Sequence, residues 1–361
     1  MSKNKSFHPG STRARAPVAI FPHPPQIAPL RCGGSRPFWS VMIPTFNPHR
    51  DYLEQAIGSV ISQGFGPEEM EIVVVDDCSP EMDVASLVES IAGSRVTFQR
   101  NRSNLGLAGC WNSCIERSRG EWIHILHQDD YVGEAFYGRL RSLAELHPQV
   151  GLLATRSFMV DENGVITSVT PRVTSLEKGG NVIDDFFYQT PIQCPGVVVR
   201  RRCYEEVGGF REDLKYTLDC EMWARAISAK AGSVASEVLA YYRTDAENQS
   251  RRLWRSGEAL ADYARLNLLF SSRYEGFDAT KGRRKLMEMA RSGEARMLEL
   301  GDIEGARVCR KYWKKNAPLD VHFHVFADNL IHLMNRWLVT LARGTSKLRN
   351  GNSRPLGRRS V

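Results

Sequence analysis

Two apolar runs in this 361-residue chain stop on paired acids. EIVVVDDCS sets Asp76 and Asp77 behind one run, and LHQDDY sets Asp129 and Asp130 behind another. A carboxylate held out of water is costly unless it is hydrogen-bonded, paired or bound to metal. Acids at surface strand ends are cheap and common, so either pair alone reads first as a solvated strand end. Brought to one place, the pairs acquire a chemistry. Oxygen ligands can hold a divalent cation that neutralises a diphosphate, a task that suits Asp129. A carboxylate can also accept a hydrogen bond from the ring N–H of a pyrimidine, and Asp77 suits that task.

The elements between these acids decide whether they meet. Phe38–Pro44 reads as a buried strand stopped by proline. Tyr52, Leu53, Ala56, Ile57, Val60 and Ile61 recur at helical spacing. Strand Glu71–Val75, helix Val84–Ala92, strand Arg95–Gln99, helix Ala108–Ser118 and strand Glu121–Leu126 follow. This alternation predicts a mostly parallel sheet with helices on both faces. Ligands of such sheets bind beyond the carboxyl ends of the strands. Pro44-Thr45, Asp76-Asp77 and Asp129-Asp130 each stand at such an end, so the expected fold puts all three on one rim. Helix Ala135–His147 comes next, then a hairpin over VGLLATRSFMVDENGVI, with Asn163-Gly164 expected to supply positive φ angles. Strand Gly196–Arg200, helix Arg202–Val207 ended by Gly208-Gly209, helix Asp219–Ala229 and strand Val234–Tyr242 complete this part.

Composition is that of a globular protein, with 42% hydrophobic and 25% charged residues. The net charge of +7 is unevenly spread. Six basic residues and no acid precede Trp39, and six more with no acid follow Ala342. Removing those twelve charges leaves the body at about −5. Such tails are solvated or lie on an anionic membrane; they lack the interleaved aromatics of single-strand nucleic-acid binders, so no nucleic-acid partner is expected. Eight cysteines without a C-x-x-C pair argue against zinc and for a reducing, cytoplasmic setting. No 18-residue apolar run exists to span a membrane. The chain lacks G-x-x-x-x-G-K-[ST], and N-L-G-L-A-G at 104–109 has the wrong spacing for a dinucleotide fingerprint.

From Trp39 to Ser250 the chain resembles the family-2 glycosyltransferases, whose fold is GT-A. The resemblance rests on ordered blocks: VMIPTFN with YLEQAIGSVISQ, EIVVVDDCS, NLGLAGCWNSCIERSRGEWIHILHQDD, VGGF, TLDCEMWAR and YYR. It implies inverting transfer of a sugar from a nucleotide-diphosphate donor, a UDP-sugar before others. The acceptor would be a glycan or a polyprenyl-lipid-linked sugar in surface polysaccharide assembly. By this resemblance Pro44, Thr45 and Phe46 line the nucleoside, and Asp77, beside Asp76, reads the base. Asn104 and Gly106 match the loop before the donor-side helix. His127, Gln128 and Asp129 occupy the D-x-D motif, with Asp129 on the metal (Mg²⁺ or Mn²⁺). Asp219 matches the general base of the E-D motif, and Arg243 lies near the diphosphate.

Three positions depart from the family pattern. His127 replaces the first acid of D-x-D, Leu218 replaces the Glu of E-D, and Trp111 replaces a basic residue of its helix. An imidazole can ligate Mn²⁺ whereas Mg²⁺ prefers oxygen; His127 could equally support a ligand from behind or simply pack. Asp219 alone could be an ordinary helix cap. Two other readings stand beside the transferase. One is a nucleotide-sugar-binding scaffold with a decayed site. The other is a nucleotidyltransferase, which would favour a first loop richer in glycine and lysine than PTFNPHR.

The expected organisation is a disordered basic, proline-rich segment at 1–37, a GT-A catalytic domain at 38–254, a helical region at 255–342 and a disordered basic tail at 343–361. Within the helical region, Phe326, Leu330, Leu333, Met334, Trp337, Leu338 and Leu341 form one apolar stripe. That stripe either docks on the catalytic domain or, with the tail, makes a peripheral contact with anionic membrane.

Overall fold

A computed structural model describes residues 21–30, 34–173, 182–188, 191–244 and 249–316. Strand β1 (Trp39–Thr45) is buried along its whole length. It lies between β2 (Met70–Asp76) and β4 (Trp122–Ile125), parallel to both. β3 (Thr97–Arg100) adds a parallel edge on β2. Apolar residues on both faces of β1 and β2 follow from helices covering both sides, as in parallel sheets generally. Those helices include α1 (Arg50–Ile61), α2 (Val84–Ala92), α3 (Gly106–Arg117) and α4 (Phe136–Leu146).

Beyond β4 the sheet changes sense. β8 (Val197–Arg200) pairs antiparallel with β4 and with β6 (Leu152–Val160), while β6 runs parallel to the long β9 (Gly232–Arg243). β5 (Tyr131–Val132) lies antiparallel on β9, and β7 (Ile166–Val169) pairs with β6. Parallel pairing thus carries most of the register, and the antiparallel β8 joins the two parallel groups. The remaining helices of this part are α5 (Val182–Tyr188), α6 (Arg201–Val207), α7 (Leu218–Lys230), α8 (Gln249–Ser256) and α9 (Glu258–Arg273).

The 151–169 hairpin differs in detail from the sequence reading. Gly164 has φ +81°, but Asn163 is not among the residues with positive φ. The carboxylate of Asp161 closes the turn instead, accepting the amides of Asn163 at 2.9 Å and Val165 at 2.8 Å. That local bond lets one glycine suffice.

Residues 21–30, inside the segment expected to be disordered, run as packed irregular backbone. The carbonyl of Pro25 accepts the amide of Gly209 at 2.8 Å, Ile27 is buried, and the guanidinium of Arg201 donates to the carbonyl of Ala28. The VGGF block makes this possible. Gly208 has φ +86°, and a Cβ there would meet the Pro25 carbonyl at 2.8 Å. Beneath it, Arg225 is buried against Glu221 and donates to the carbonyls of Val207, Gly208 and Gly209. Proline-rich composition hides such order because the chain is held by backbone contacts rather than by a periodic apolar face.

The helical run continues through α10 (Ala279–Glu299) and α11 (Ile303–Asn316). The chain divides into two compact units, 1–286 and 287–361, so the division falls inside α10. In the second unit Glu294 accepts from Arg310 and from the indole of Trp313, both at 2.6 Å. The apolar stripe of 326–341 and the basic tail lie outside the described residues. Among the described residues, no helix is long and apolar enough to cross a membrane.

One buried histidine in β4 has a consequence for stability. His124 has no exposure, lies 2.8 Å from the Tyr137 hydroxyl and 3.1 Å from the Pro195 carbonyl, and stacks on Phe136. Burial lowers its pKa to about 3. An unfolded histidine titrates near 6.5, so between pH 6.5 and 3 the unfolded chain binds the extra proton and stability falls as pH falls. The full shift corresponds to at most about 5 kcal/mol. Denaturant unfolding across this window should show a steeper acid loss for the wild type than for His124→Gln; equal slopes would contradict it.

Candidate active site

Loops after β1, β2 and β4, together with the starts of α7 and α8, surround one cleft of about 890 Å³. Asp77, Asp129 and Asp219 all line it, as do Pro44, Thr45, Phe46, Asn104, Gly106, His127, Gln128 and Arg243. Residues far apart in the chain therefore converge as the sheet topology requires. Asp76 is the exception among the sequence-predicted residues.

Asp76 is wholly buried and turned inward. It pairs with Arg100 at 2.7 Å and accepts from the hydroxyl and amide of Ser79. The Ser79 hydroxyl in turn accepts the amide of Asn47 at 2.9 Å. Asn47 and Cys78 both have positive φ, at 43° and 64°, a conformation that is costly for side chains with a Cβ. Asp76 thus builds the rim and does not reach the cleft.

The Asp77 carboxylate accepts from Asn101 at 2.8 Å, from the amide of Leu105 at 2.9 Å and from that of Gly106 at 3.0 Å. It ties β2 to the start of α3. Gly106 has φ +72°, which excludes most other residues there. Asn104 caps the same turn through the Gly106 amide at 3.0 Å. Gln128 and Phe46 exchange reciprocal bonds: the Phe46 amide donates to Oε1 at 2.8 Å, and Nε2 donates to the Phe46 carbonyl at 3.3 Å. This clamp joins the first loop to the His127–Asp130 turn.

At that turn the His127 ring stacks on Trp111, with centroids 4.8 Å apart and planes at 24°. Two of the three departures from the family pattern therefore touch. Nδ1 of His127 lies 3.2 Å from Oδ2 of Asp130. Nε2 of His127 and Oδ2 of Asp130 are both sealed from solvent without a hydrogen-bond partner. One donor atom each from His127, Asp129 and Asp130 lies within 4.8 Å of the others. Burial raises the Asp129 carboxyl to about 6, helped by the charge of Asp130 and opposed by His127 and Arg243. Burial opposes charge on His127, but the Asp130 contact and the nearby Asp129 and Asp219 carboxylates raise it overall. A ring nitrogen and two carboxylates, with Nε2 of His127 and Oδ2 of Asp130 left unsatisfied, fit a divalent cation.

Arg243 lines the cleft, yet its guanidinium is already engaged. Nε donates to the Asp129 carbonyl at 3.0 Å, Nη1 to the carbonyls of Asp161 and Glu162, and Nη2 to Gln55 at 2.5 Å. It holds the turn that carries Asp129. By contrast Arg252, on α8, is exposed at the cleft and makes no hydrogen bond or ion pair among the described residues. Sequence reasoning missed it; the basic pair in QSRR just beyond YYR was the available signal.

Asp219 sits in the first turn of α7, half-buried, with Oδ1 accepting the amide of Cys220 at 2.7 Å. Burial raises its pKa, offset in part by that bond. The preceding loop is held by Asp262 of α9, which accepts the amides of Lys215 and Tyr216 at 2.5 and 2.7 Å. The helical region thus reaches the site by fixing the approach to Asp219. Leu218 stands at the cleft wall where the family pattern has an acid.

Residues 40–208 match the family described as Glycosyl transferase family 2. The chain carries a family-2 glycosyl transferase domain. Relatives of this glycosyl transferase include poly(ribitol-phosphate) beta-N-acetylglucosaminyltransferase TarS of Staphylococcus aureus (strain Mu50). It is 27% identical over 218 residues, 58% of this chain and 36% of TarS. The putative teichuronic acid biosynthesis glycosyltransferase TuaG of Bacillus subtilis (strain 168) is 26% identical over 234 residues, 62% of this chain and 85% of TuaG. This chain therefore spans only about a third of TarS but most of TuaG. Among solved structures, mannosyltransferase PcManGT from Pyrobaculum calidifontis, in complex with GDP-Man and Mn²⁺, superposes with a TM-score of 0.51 at 15% identity. The match covers 86% of this chain and 84% of that one. The fold of this glycosyl transferase is GT-A.

Proposed function

We propose that this cleft transfers a sugar from a nucleotide-diphosphate donor to an acceptor hydroxyl with inversion, in the assembly of a surface polysaccharide. The observation that carries the reading is the meeting of Asp77, Asp129 and Asp219 in one cleft. The named tasks of TarS and TuaG, and the donor and metal bound to PcManGT, point the same way. We place the catalytic part at 38–254.

Pro44, Thr45 and Phe46 line the nucleoside, with Asp77 behind them fixing the turn and facing the base. Asp129 and His127 hold the divalent cation, which when bound neutralises charge on the diphosphate. Arg252 is placed to meet the phosphates from the other wall, since Arg243 has its donors occupied. Asp219 takes the proton of the acceptor hydroxyl as the oxygen forms its bond to the anomeric carbon. The bond from that carbon to the phosphate oxygen breaks, and its electron pair leaves with the nucleoside diphosphate.

A thermal-shift screen of nucleoside diphosphates and nucleotide sugars with Mg²⁺ or Mn²⁺ tests this. Binding raises the melting temperature by mass action, so one base should stand out, UDP before GDP. A flat screen across all donors and both metals would sink the reading.

A further inference from the structure

The two walls of the cleft are joined behind it by a row of rings. His127 of the turn after β4 stacks on Trp111 of α3, and Trp111 meets the ring of Phe210 edge-on, with centroids 4.8 Å apart and planes at 79°. Phe210 in turn meets Trp223 of α7 edge-on, at 5.6 Å and 82°. Both rings are buried. Trp223 lies four residues after Asp219, one turn along the same face of α7. The row therefore runs from the donor-side turn to the helix that carries the proposed base. The Phe210 loop, which follows α6, is clamped from two sides. Its amide donates to Oδ1 of Asn112 at 2.7 Å, and its carbonyl accepts from Nδ2 of Asn112 at 2.9 Å, which fastens it to α3. A Cβ at position 209 would stand 2.3 Å from that Oδ1, so the bond pair requires Gly209. From α7, Arg225 donates to the carbonyls of Val207, Gly208 and Gly209. With the loop fixed to both helices, the bulk of the Phe210 ring sets how far apart they stand, since a close-packed interior gives way when a ring is removed.

We propose that Phe210 is a positioning residue for the transfer: it sets the distance from the donor wall to Asp219, and so the alignment of the acceptor oxygen with the anomeric carbon. The inference rests on the glycosyl-transfer reading. The donor wall has ties of its own that do not pass through Phe210. Asp77 binds β2 to the start of α3, and Gln128 clamps its turn to the first loop. Loss of the ring should therefore leave donor binding in place and displace the base. A misplacement of about 1 Å can cost about 10²-fold in rate.

The test compares two variants of the full chain that thin the core by the same change. Phe210→Leu shortens the row. Phe136→Leu makes the equal cut in α4, where Phe136 is wholly buried against His124 and Tyr137. Both should lower the melting temperature. Calorimetric titration with UDP and GDP in the presence of Mn²⁺ reads donor-side affinity, and release of nucleoside diphosphate from a panel of UDP- and GDP-sugars reads turnover. Phe210→Leu should lose about 10- to 100-fold in kcat while its nucleoside-diphosphate affinity stays within about twofold of the wild type. Phe136→Leu should keep both. Asn112→Ala, which frees the backbone of Phe210 and leaves the ring in place, should show the same split, and it decides the matter should Phe210→Leu not fold. Turnover equal to that of Phe136→Leu, or a loss of affinity as large as the loss of turnover, would overturn the proposal and leave the transfer reading standing. A wild type that releases no nucleoside diphosphate from any donor would overturn both.

Discussion

Asp219→Asn should cost about 10²- to 10⁴-fold in transfer rate, the usual contribution of a positioned general base, while donor affinity stays as in the wild type. The substitution is gentle on the fold. The bond from the Cys220 amide to Oδ1 is one that an asparagine oxygen can keep. What disappears is the capacity to take a proton. Burial holds the Asp219 pKa above the ordinary carboxylate range, which lies near 4. Only the deprotonated form acts as base, so the wild-type rate should fall as pH drops through that raised value. In Asp219→Asn the share of this acid limb that belongs to Asp219 should vanish along with most of the rate, leaving only the fall that loss of the cation causes. Initial rates from pH 4.5 to 8, with the donor identified by melting shifts, decide the matter. A variant that transfers at the wild-type rate would make Asp219 a helix cap and nothing more.

The second large effect belongs to Asp129. Removing its carboxylate in Asp129→Ala takes away the cation ligand that does not depend on the imidazole, so Mn²⁺ affinity should fall by about 100-fold or more and turnover of the donor with it. The wild type should also be pH-sensitive here. Burial first, and the charge of Asp130 second, lift the Asp129 carboxyl to about 6. A proton and a cation compete for the Asp129 oxygens, and His127, whose pKa its acidic neighbours raise, must also shed its proton to ligate, so affinity declines as pH falls through both titrations, by about tenfold per pH unit for each group. Calorimetric Mn²⁺ titrations at pH 7.5, 6 and 5 would show this slope in the wild type and a shallower one in the variant. Undiminished Mn²⁺ binding by Asp129→Ala would place the cation elsewhere.

Much of this arrangement is legible in the sequence, for identifiable reasons. Buried parallel strands are continuous apolar runs, so β1, β2 and β4 and the helices between them stand out, and the fold rule then puts their carboxyl ends on one rim. The antiparallel half is less visible because short strands such as β8 carry only four residues and no alternation. Side-chain roles are legible only where they follow from chain position. Asp76 and Asp77 are neighbours, and a strand's period of two sends neighbours to opposite faces; which of them meets the cleft was not decidable from the run alone. Arg243 and Arg252 look alike as letters. One is consumed by carbonyls of the 161–162 turn and by Gln55, contacts that span more than eighty residues, and the other makes no hydrogen bond or ion pair among the described residues. Asp130 stands in the sequence only as the neighbour of Asp129, because its contact with His127 is made in space.

The buried guanidinium of Arg243 couples two places that the primary structure keeps apart. It grips the carbonyls at the start of the β6–β7 turn with one nitrogen and the carbonyl of Asp129 with another. Loops at such sites are natural points of exchange when acceptor preference is re-engineered. Grafting a relative's turn over 161–165 would therefore not be a local edit: any shift of those carbonyls would drag the guanidinium and reset the cation-bearing corner, so a swapped turn should travel with a matched residue at 243.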